Sequence, residues 1–141
     1  MQTEMTDTTL ITESQREYMI RSGKATPRFL QGVYPFIGRG IFEQDVVDES
    51  LHYTVPAGFT AEITYLRAGN LSTEMLYLVI TANGSPLRYF PLGAGSSCHV
   101  ELAIVERHLA GTRIDVAFAA PRALSGAIVL DIGILEIGEA K

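Results

Sequence analysis

Residues that carry chemistry are few in this chain, and their spacing keeps most of them apart. The histidines are His52, His99 and His108, without the close pairing that marks a metal or triad site. His99 and Glu101 share one face of a predicted strand, a partial match to a metal-bearing jelly roll; a surface histidine beside a surface glutamate explains them more simply. Cys98 directly precedes His99, and a Cys-His pair invites a nucleophile reading. Adjacent strand residues point to opposite faces, however, so the imidazole does not reach the neighbouring thiol. Cys98 shares its face with Val100, Leu102 and Ile104 and is expected to be a small core residue.

The carboxylates Glu43, Asp45, Asp48 and Glu49 offer oxygen ligands of the kind calcium takes. Their order lacks a calcium-loop pattern and any glycine inside it, so a solvated acidic edge that discourages wrong strand pairing is expected instead. Gly38-Arg39-Gly40 and Gly93-Ala94-Gly95 do not follow a strand and open a helix, as a phosphate-cradling loop must; they read as turns. Ser96 and Ser97 lack the strand-to-helix elbow that activates a serine. The expectation is a chain with no catalytic residue, no metal and no cofactor, and therefore not an enzyme.

The 141 residues suffice for one domain with its own core, or one domain and an arm. Charged residues make up 19%, below the roughly 25% of ordinary soluble domains, which suggests that part of the surface is covered by copies of the chain or by a partner. With 11 basic and 16 acidic side chains the net charge is -5, and no basic run tracks phosphates, so direct nucleic-acid binding is not expected. One cysteine gives no intramolecular disulfide and fits synthesis in a reducing compartment. The opening residues have neither the cationic start nor the apolar core of a secretory leader. Apolar runs are all shorter than the ~18 residues of a spanning helix, so no membrane anchor is expected.

The elements that must position these residues are strands. Apolar runs are cut by turn chemistry at Val55–Gly58, Asn83–Pro86, Pro91–Ser97 and Leu109–Thr112. Strands are predicted over 41–47, 51–54, 59–68, 74–82, 87–90, 98–105, 113–119 and 127–137, about eight in all. The fold class is all-β, a single antiparallel β-sandwich or jelly roll over residues 41–141. Alternation places Phe59, Ala61, Ile63 and Tyr65 on one face of their strand. In 74–82 both faces are apolar, with Leu76, Leu78 and Ile80 on one and Met75, Tyr77 and Val79 on the other. The last strand repeats this with Val129 and Leu135 behind Ile128, Leu130, Ile132 and Ile134. A sheet apolar on both faces needs a second cover.

Residues 1–40 read as an N-terminal arm. Thr12 with Gln15, or Ser14 with Glu17, forms a capping box for a short helix over Glu13–Ser22 that stops at Gly23. The following TPRFLQGVYPFIGRG sets Phe29, Leu30, Val33, Tyr34, Phe36 and Ile37 among structure breakers. At roughly 1.5–3 kcal/mol for each large apolar group buried, such a segment is expected to dock, either along its own sandwich or on a neighbouring copy.

In order, VPAGFTAEITYLRAGNLS, LYLVITANGSPL, PLGAGSS, LAGTRIDVAF and IGILEIG resemble small β-sandwich structural proteins of tailed bacteriophage virions, over about Leu51 to Gly138. The resemblance implies a non-enzymatic virion component made in the host cytoplasm: a capsid decoration or cement protein first, a head-fibre or tail-associated part otherwise. It implies a homo-oligomer whose further partner is the major capsid protein. On that reading Phe29, Val33, Tyr34, Phe36 and Ile37 anchor the arm, and Met75, Tyr77 and Val79 line a subunit contact. The alternative on the same fold is a carbohydrate-binding module or tail adhesin, with Tyr53, Tyr65 and Tyr89 as stacking candidates.

Overall fold

The computed structural model describes residues 12–102 and 107–138. Among the described residues one helix, α1 (Glu13–Arg21), precedes nine strands: β1 (Ala25–Ile37), β2 (Asp45–Val46), β3 (His52–Thr54), β4 (Phe59–Asn70), β5 (Leu76–Ala82), β6 (Ser85–Leu92), β7 (Ser97–Glu101), β8 (Arg113–Ala119) and β9 (Ser125–Gly138). They form two antiparallel sheets. Sheet A has the order β1-β9-β4-β7, and sheet B has the order β2-β8-β5-β6 with β3 also paired to β8. The chain is an all-β sandwich, as its turn punctuation predicts. The predicted strand over 98–105 ends at Glu101, and its residues 103–105 lie outside the described residues. The predicted strand over 41–47 shrinks to Asp45–Val46, because 38–44 is a turn-rich loop.

Inward-facing residues of both sheets make one core, including Leu66, Leu78, Ile80, Val116, Ile128, Leu130 and Ile132. The NG turn behaves as its sequence demands. Asn83 and Gly84 both take positive φ, 50° and 84°, between the paired Ala82 and Ser85, which is the two-residue type I′ geometry that matches strand twist.

The segment read as part of an arm is strand β1, paired to β9 without a break from Ala25–Ile137 to Ile37–Ser125. Of the two dockings the sequence leaves open, the described chain takes its own sandwich. Phe36 consequently lies inside, its ring 5.2 Å from that of Phe118. Helix α1 has the Thr12–Gln15 capping box. It covers one end of the outer face of sheet A, with Met19 packed on Ala25, Leu135 and Ile137.

Buried polar groups tie the sandwich at both ends. At one end Tyr53 of β3 donates to Glu136 of β9 at 2.6 Å, joined by Arg28 of β1 at 3.3 Å. Burial and then this hydrogen bond push the Tyr53 phenol up. At the other end Asn70 of β4 donates to the carbonyls of Glu74, Leu92 and Gly93 at 2.9–3.1 Å. Among the described residues no helix is long and apolar enough to cross a membrane.

Candidate functional site

A β-bulge in β4 builds a polar cluster on the outer face of sheet A. Pairing to β9 slips between Ile63 and Tyr65, leaving Thr64 as the extra residue. The slip reverses side-chain parity: Ala61 and Ile63 face the core before it, Leu66 and Ala68 after it. Tyr65, which simple alternation assigns to the Phe59–Ala61–Ile63 face, is therefore turned to the outer face of sheet A together with Arg67. The sequence carries no glycine to mark this bulge, so alternation alone misses it.

Rows across the four strands follow from the register. Gln31, Asp131, Arg67 and His99 form one row; Phe29, Gly133, Tyr65 and Glu101 form the next; Val33, Val129, Gly69 and Ser97 lie on the other side. Asp131 is the hub. It accepts from Gln31 Nε2 at 2.9 Å, from Tyr65 Oη at 3.0 Å and from Arg67 Nε at 3.1 Å. The Tyr65 ring occupies the space above Gly133, where an added Cβ would stand 2.1 Å from Cε2; any side chain at 133 displaces it. Arg67 lies 5.4 Å from the Tyr65 ring centroid, and His99 meets the same ring edge-on at 6.2 Å. Beside this cluster is an open depression of about 600 Å³ lined by Arg67, Gly69, Ser97, His99, Val129 and Asp131 among others.

Burial acts to raise the Asp131 carboxyl, and the hydrogen bonds from Gln31, Arg67 and Tyr65 overcome it, holding the group below its usual range. The Tyr65 phenol is pushed up by burial and then by its bond to Asp131. A depressed folded-state value means that stabilisation by Asp131 is complete above the unfolded value of about 3.9 and is lost as pH falls through the folded value. Chemical denaturation of wild type and Asp131→Asn should therefore differ most at neutral pH, with the gap closing in acid. A gap that stays constant would show that the hub contributes nothing through its charge.

The other candidates are dispersed. Cys98 faces inward against the core while His99 faces out, and burial raises the Cys98 thiol despite an opposing backbone hydrogen bond from Ala68. His52 is exposed, and His108 is buried where its backbone bridges Ala61. The acidic group separates into local partnerships: Asp45 with Arg39 at 2.9 Å, and Asp48 with the Ser50 backbone at 3.0 Å. Among the described residues no three His, Cys, Asp or Glu side chains converge on a point. Ser96 closes its own turn onto the Gly93 carbonyl at 2.8 Å.

The expected contact residues divide by burial. Phe29, Val33 and Ile37 stand in water on the outer face of sheet A, and Met75 is exposed beside sheet B. Tyr34 is half-buried and folds over Gly32, donating to the Gln31 carbonyl at 2.9 Å. Phe36 and Val79 are inside the protomer and unavailable to a partner: Phe36 through the packing described above, Val79 between its cross-strand neighbours Tyr89 and Ala117. Tyr77 and Tyr89 pair on the outer face of sheet B, their centroids 5.6 Å apart. Sequence reasoning passed over Ile41 and Phe42, which protrude from the loop before β2; Phe42 is 92% exposed. Two large apolar residues between Gly40 and the acidic run are the signal that would have found them. Tyr53, Tyr65 and Tyr89 lie in three separate places and form no common platform.

No known protein family and no curated protein matches this sequence. Solved structures of similar shape include the pilus subunit of Bacillus endospore appendages (10% identity, TM-score 0.43, covering 84% of this chain and 93% of that one). A family 36 carbohydrate-binding module in complex with calcium and xylotriose is similar at 11% identity and TM-score 0.44, over 77% of this chain and 97% of the module. The infectious bursal disease virus Gt strain structure is similar at 8% identity and TM-score 0.49, over 82% of this chain and 33% of that one.

Proposed function

We propose that the chain is a non-enzymatic structural protein of a phage virion, a decoration or cement subunit that joins by surface burial. The observation that carries the reading is that both outer faces of one small sandwich leave large apolar side chains in water. Sheet A presents Phe29, Val33 and Ile37; the sheet B side presents Val46 and Met75, and Ile41 and Phe42 protrude from the loop before β2. A subunit with two opposed adhesive faces bridges neighbours, and many weak contacts around a shell add up by multivalency. The virion assignment itself rests on the order of the turn motifs from Leu51 to Gly138.

Phe42 and its neighbours are assigned to the shell, because an exposed aromatic at a loop tip is the kind of anchor that dominates interfaces. Purified chain should co-sediment with capsid shells of the virus whose genes flank its own. Phe42→Ser combined with Met75→Ser should lose that binding while folding normally, since both side chains are exposed and surface changes cost within about 0.5 kcal/mol. Unchanged co-sedimentation, or a gene neighbourhood without virion genes, overturns the reading.

A carbohydrate-binding role is favoured by one observation, the Tyr65 ring set over Gly133 beside Gln31, Arg67, His99 and Asp131. A glycan array separates the two readings, because a decoration protein is expected to bind none of its sugars.

A further inference from the structure

The far edge of β1 carries a regular row of backbone groups that β9 does not use. Gly138 N–H donates to the Lys24 carbonyl at 2.9 Å, and Gly38 N–H donates to the Leu124 carbonyl at 2.7 Å. These two bonds flank an unbroken register in which Lys24 would face Gly138 and Gly38 would face Leu124. They fix the parity of the whole ladder: even-numbered residues of β1 exchange bonds with β9, and odd-numbered ones turn their N–H and C=O groups away from it. Among the described residues no strand pairs with that outward edge.

Pro27 and Pro35 both fall on the outward parity, where proline is tolerated because no ladder bond is asked of it. Prolines there also exclude an incoming strand that needs a continuous ladder. They sit four residues either side of Gln31, which is also the midpoint of β1. We propose that β1 pairs antiparallel with β1 of a second copy about a two-fold axis at Gln31, joining two copies of sheet A into one continuous sheet. This rests on reading the chain as an assembly module and names its partner.

In that register Gln31 faces its own copy, Phe29 faces Val33, and Pro27 faces Pro35. The missing donors meet each other, and three consecutive complete rungs stand between them. Shifting by one rung sets the prolines against Phe29 and Ile37 in one direction, or against Ala25 and Val33 in the other, and interrupts four rungs instead of two. The partner whose gaps coincide is therefore the same chain. Phe29 and Val33, 54% and 62% exposed, meet across the axis as an aromatic and β-branched pair of the kind that stabilises adjacent strands. The Gln31 carbonyl, which already accepts from Tyr34, keeps a second lone pair for the partner.

Sedimentation velocity on the full chain at high micromolar concentration should show a dimer. Gln31→Pro should return it to monomer with unchanged far-ultraviolet circular dichroism, since the Gln31 N–H is not used within the protomer. A cysteine at the axis gives an independent reading. In a Cys98→Ser background Gln31→Cys should form an intersubunit disulfide on mild oxidation, because facing Cα atoms lie about 5.5 Å apart. Val33→Cys, whose copies lie well apart, should not. A monomer at every concentration, a dimer indifferent to Gln31→Pro, or self-linking through Val33→Cys overturns the proposal. A monomer that still binds shells rejects the strand pairing alone; a strand-paired dimer that ignores shells rejects the decoration role alone.

Discussion

Replacing Glu62 with alanine is expected to destabilise the chain by about 1.5–3 kcal/mol, the range for hydrogen bonds to a charged group and below that for a fully buried pair, because Arg16 keeps 31% of its side chain in water. Glu62 has no exposed side-chain surface, and its two oxygens are divided between Arg16 of α1 at 3.4 Å and Arg107 at 3.3 Å. Without the carboxylate the Arg16 guanidinium loses the ion pair that holds α1 against the sandwich, and Arg107 loses its contact at 3.3 Å. Glu62→Gln keeps the volume and one acceptor and should cost less. Urea denaturation gives the size. Amide exchange gives the place, because α1 should lose protection before the sandwich does: it has no fully buried residue of its own, and the helix is short enough to be marginal alone. A loss below about 1 kcal/mol would mean that desolvation already cancels the charge pairing in the native state.

The sequence shows this helix clearly and its docking hardly at all. Thr12 and Gln15 announce the capping box because capping is local, a matter of three residues and two hydrogen bonds. Nothing local says that Arg16 will find a glutamate 46 positions away. The same division holds elsewhere. Asn83-Gly84 predicts its hairpin, since only a short list of residues takes positive φ in succession. Leu135 and Ile137, two outward apolar residues of β9, call for a cover, and α1 supplies it through Met19, while Val129 farther along the same face stays exposed. The opposite outer face finds part of its cover within itself, with Val79 sealed by neighbouring strands.

What alternation misses is a change of phase. Thr64 is an ordinary strand residue, and its insertion sends Tyr65 outward to meet Asp131, so the cluster with Gln31, Arg67 and His99 is invisible without the register. Strand β1 shows a related limit. Its two prolines and Gly32 read as breakers, yet the prolines fall where an edge strand has no internal use for an N–H. Composition records that breakers are present; only pairing reveals which side of the strand they occupy.

Asn70→Ala is expected to cost about 2–4 kcal/mol, because a buried polar group stripped of its partner costs about 1–3 kcal/mol and several are stripped at once. The Asn70 side chain is 1% exposed. Its Nδ2 serves the Glu74, Leu92 and Gly93 carbonyls, and its Oδ1 accepts from the Ser72 N–H at 2.9 Å and the Ser72 hydroxyl at 2.7 Å. It thus fastens the end of β4 in sheet A to the end of β6 in sheet B and shapes the loop that carries Leu71 and Met75. Some of these carbonyls have another donor, as Gly93 has in Ser96, which keeps the estimate below a simple sum. Asn70→Asp is the sharper variant. It preserves size and both acceptor bonds to Ser72, but it turns a negative oxygen toward three carbonyls that had a donor. It should therefore be at least as destabilising as alanine at neutral pH and should recover in part in acid, when the protonated carboxyl returns one of the two donors. Denaturation midpoints at neutral and acidic pH test the pair. An Asn70→Asp variant as stable as wild type at neutral pH would show that the three carbonyls do not depend on Nδ2.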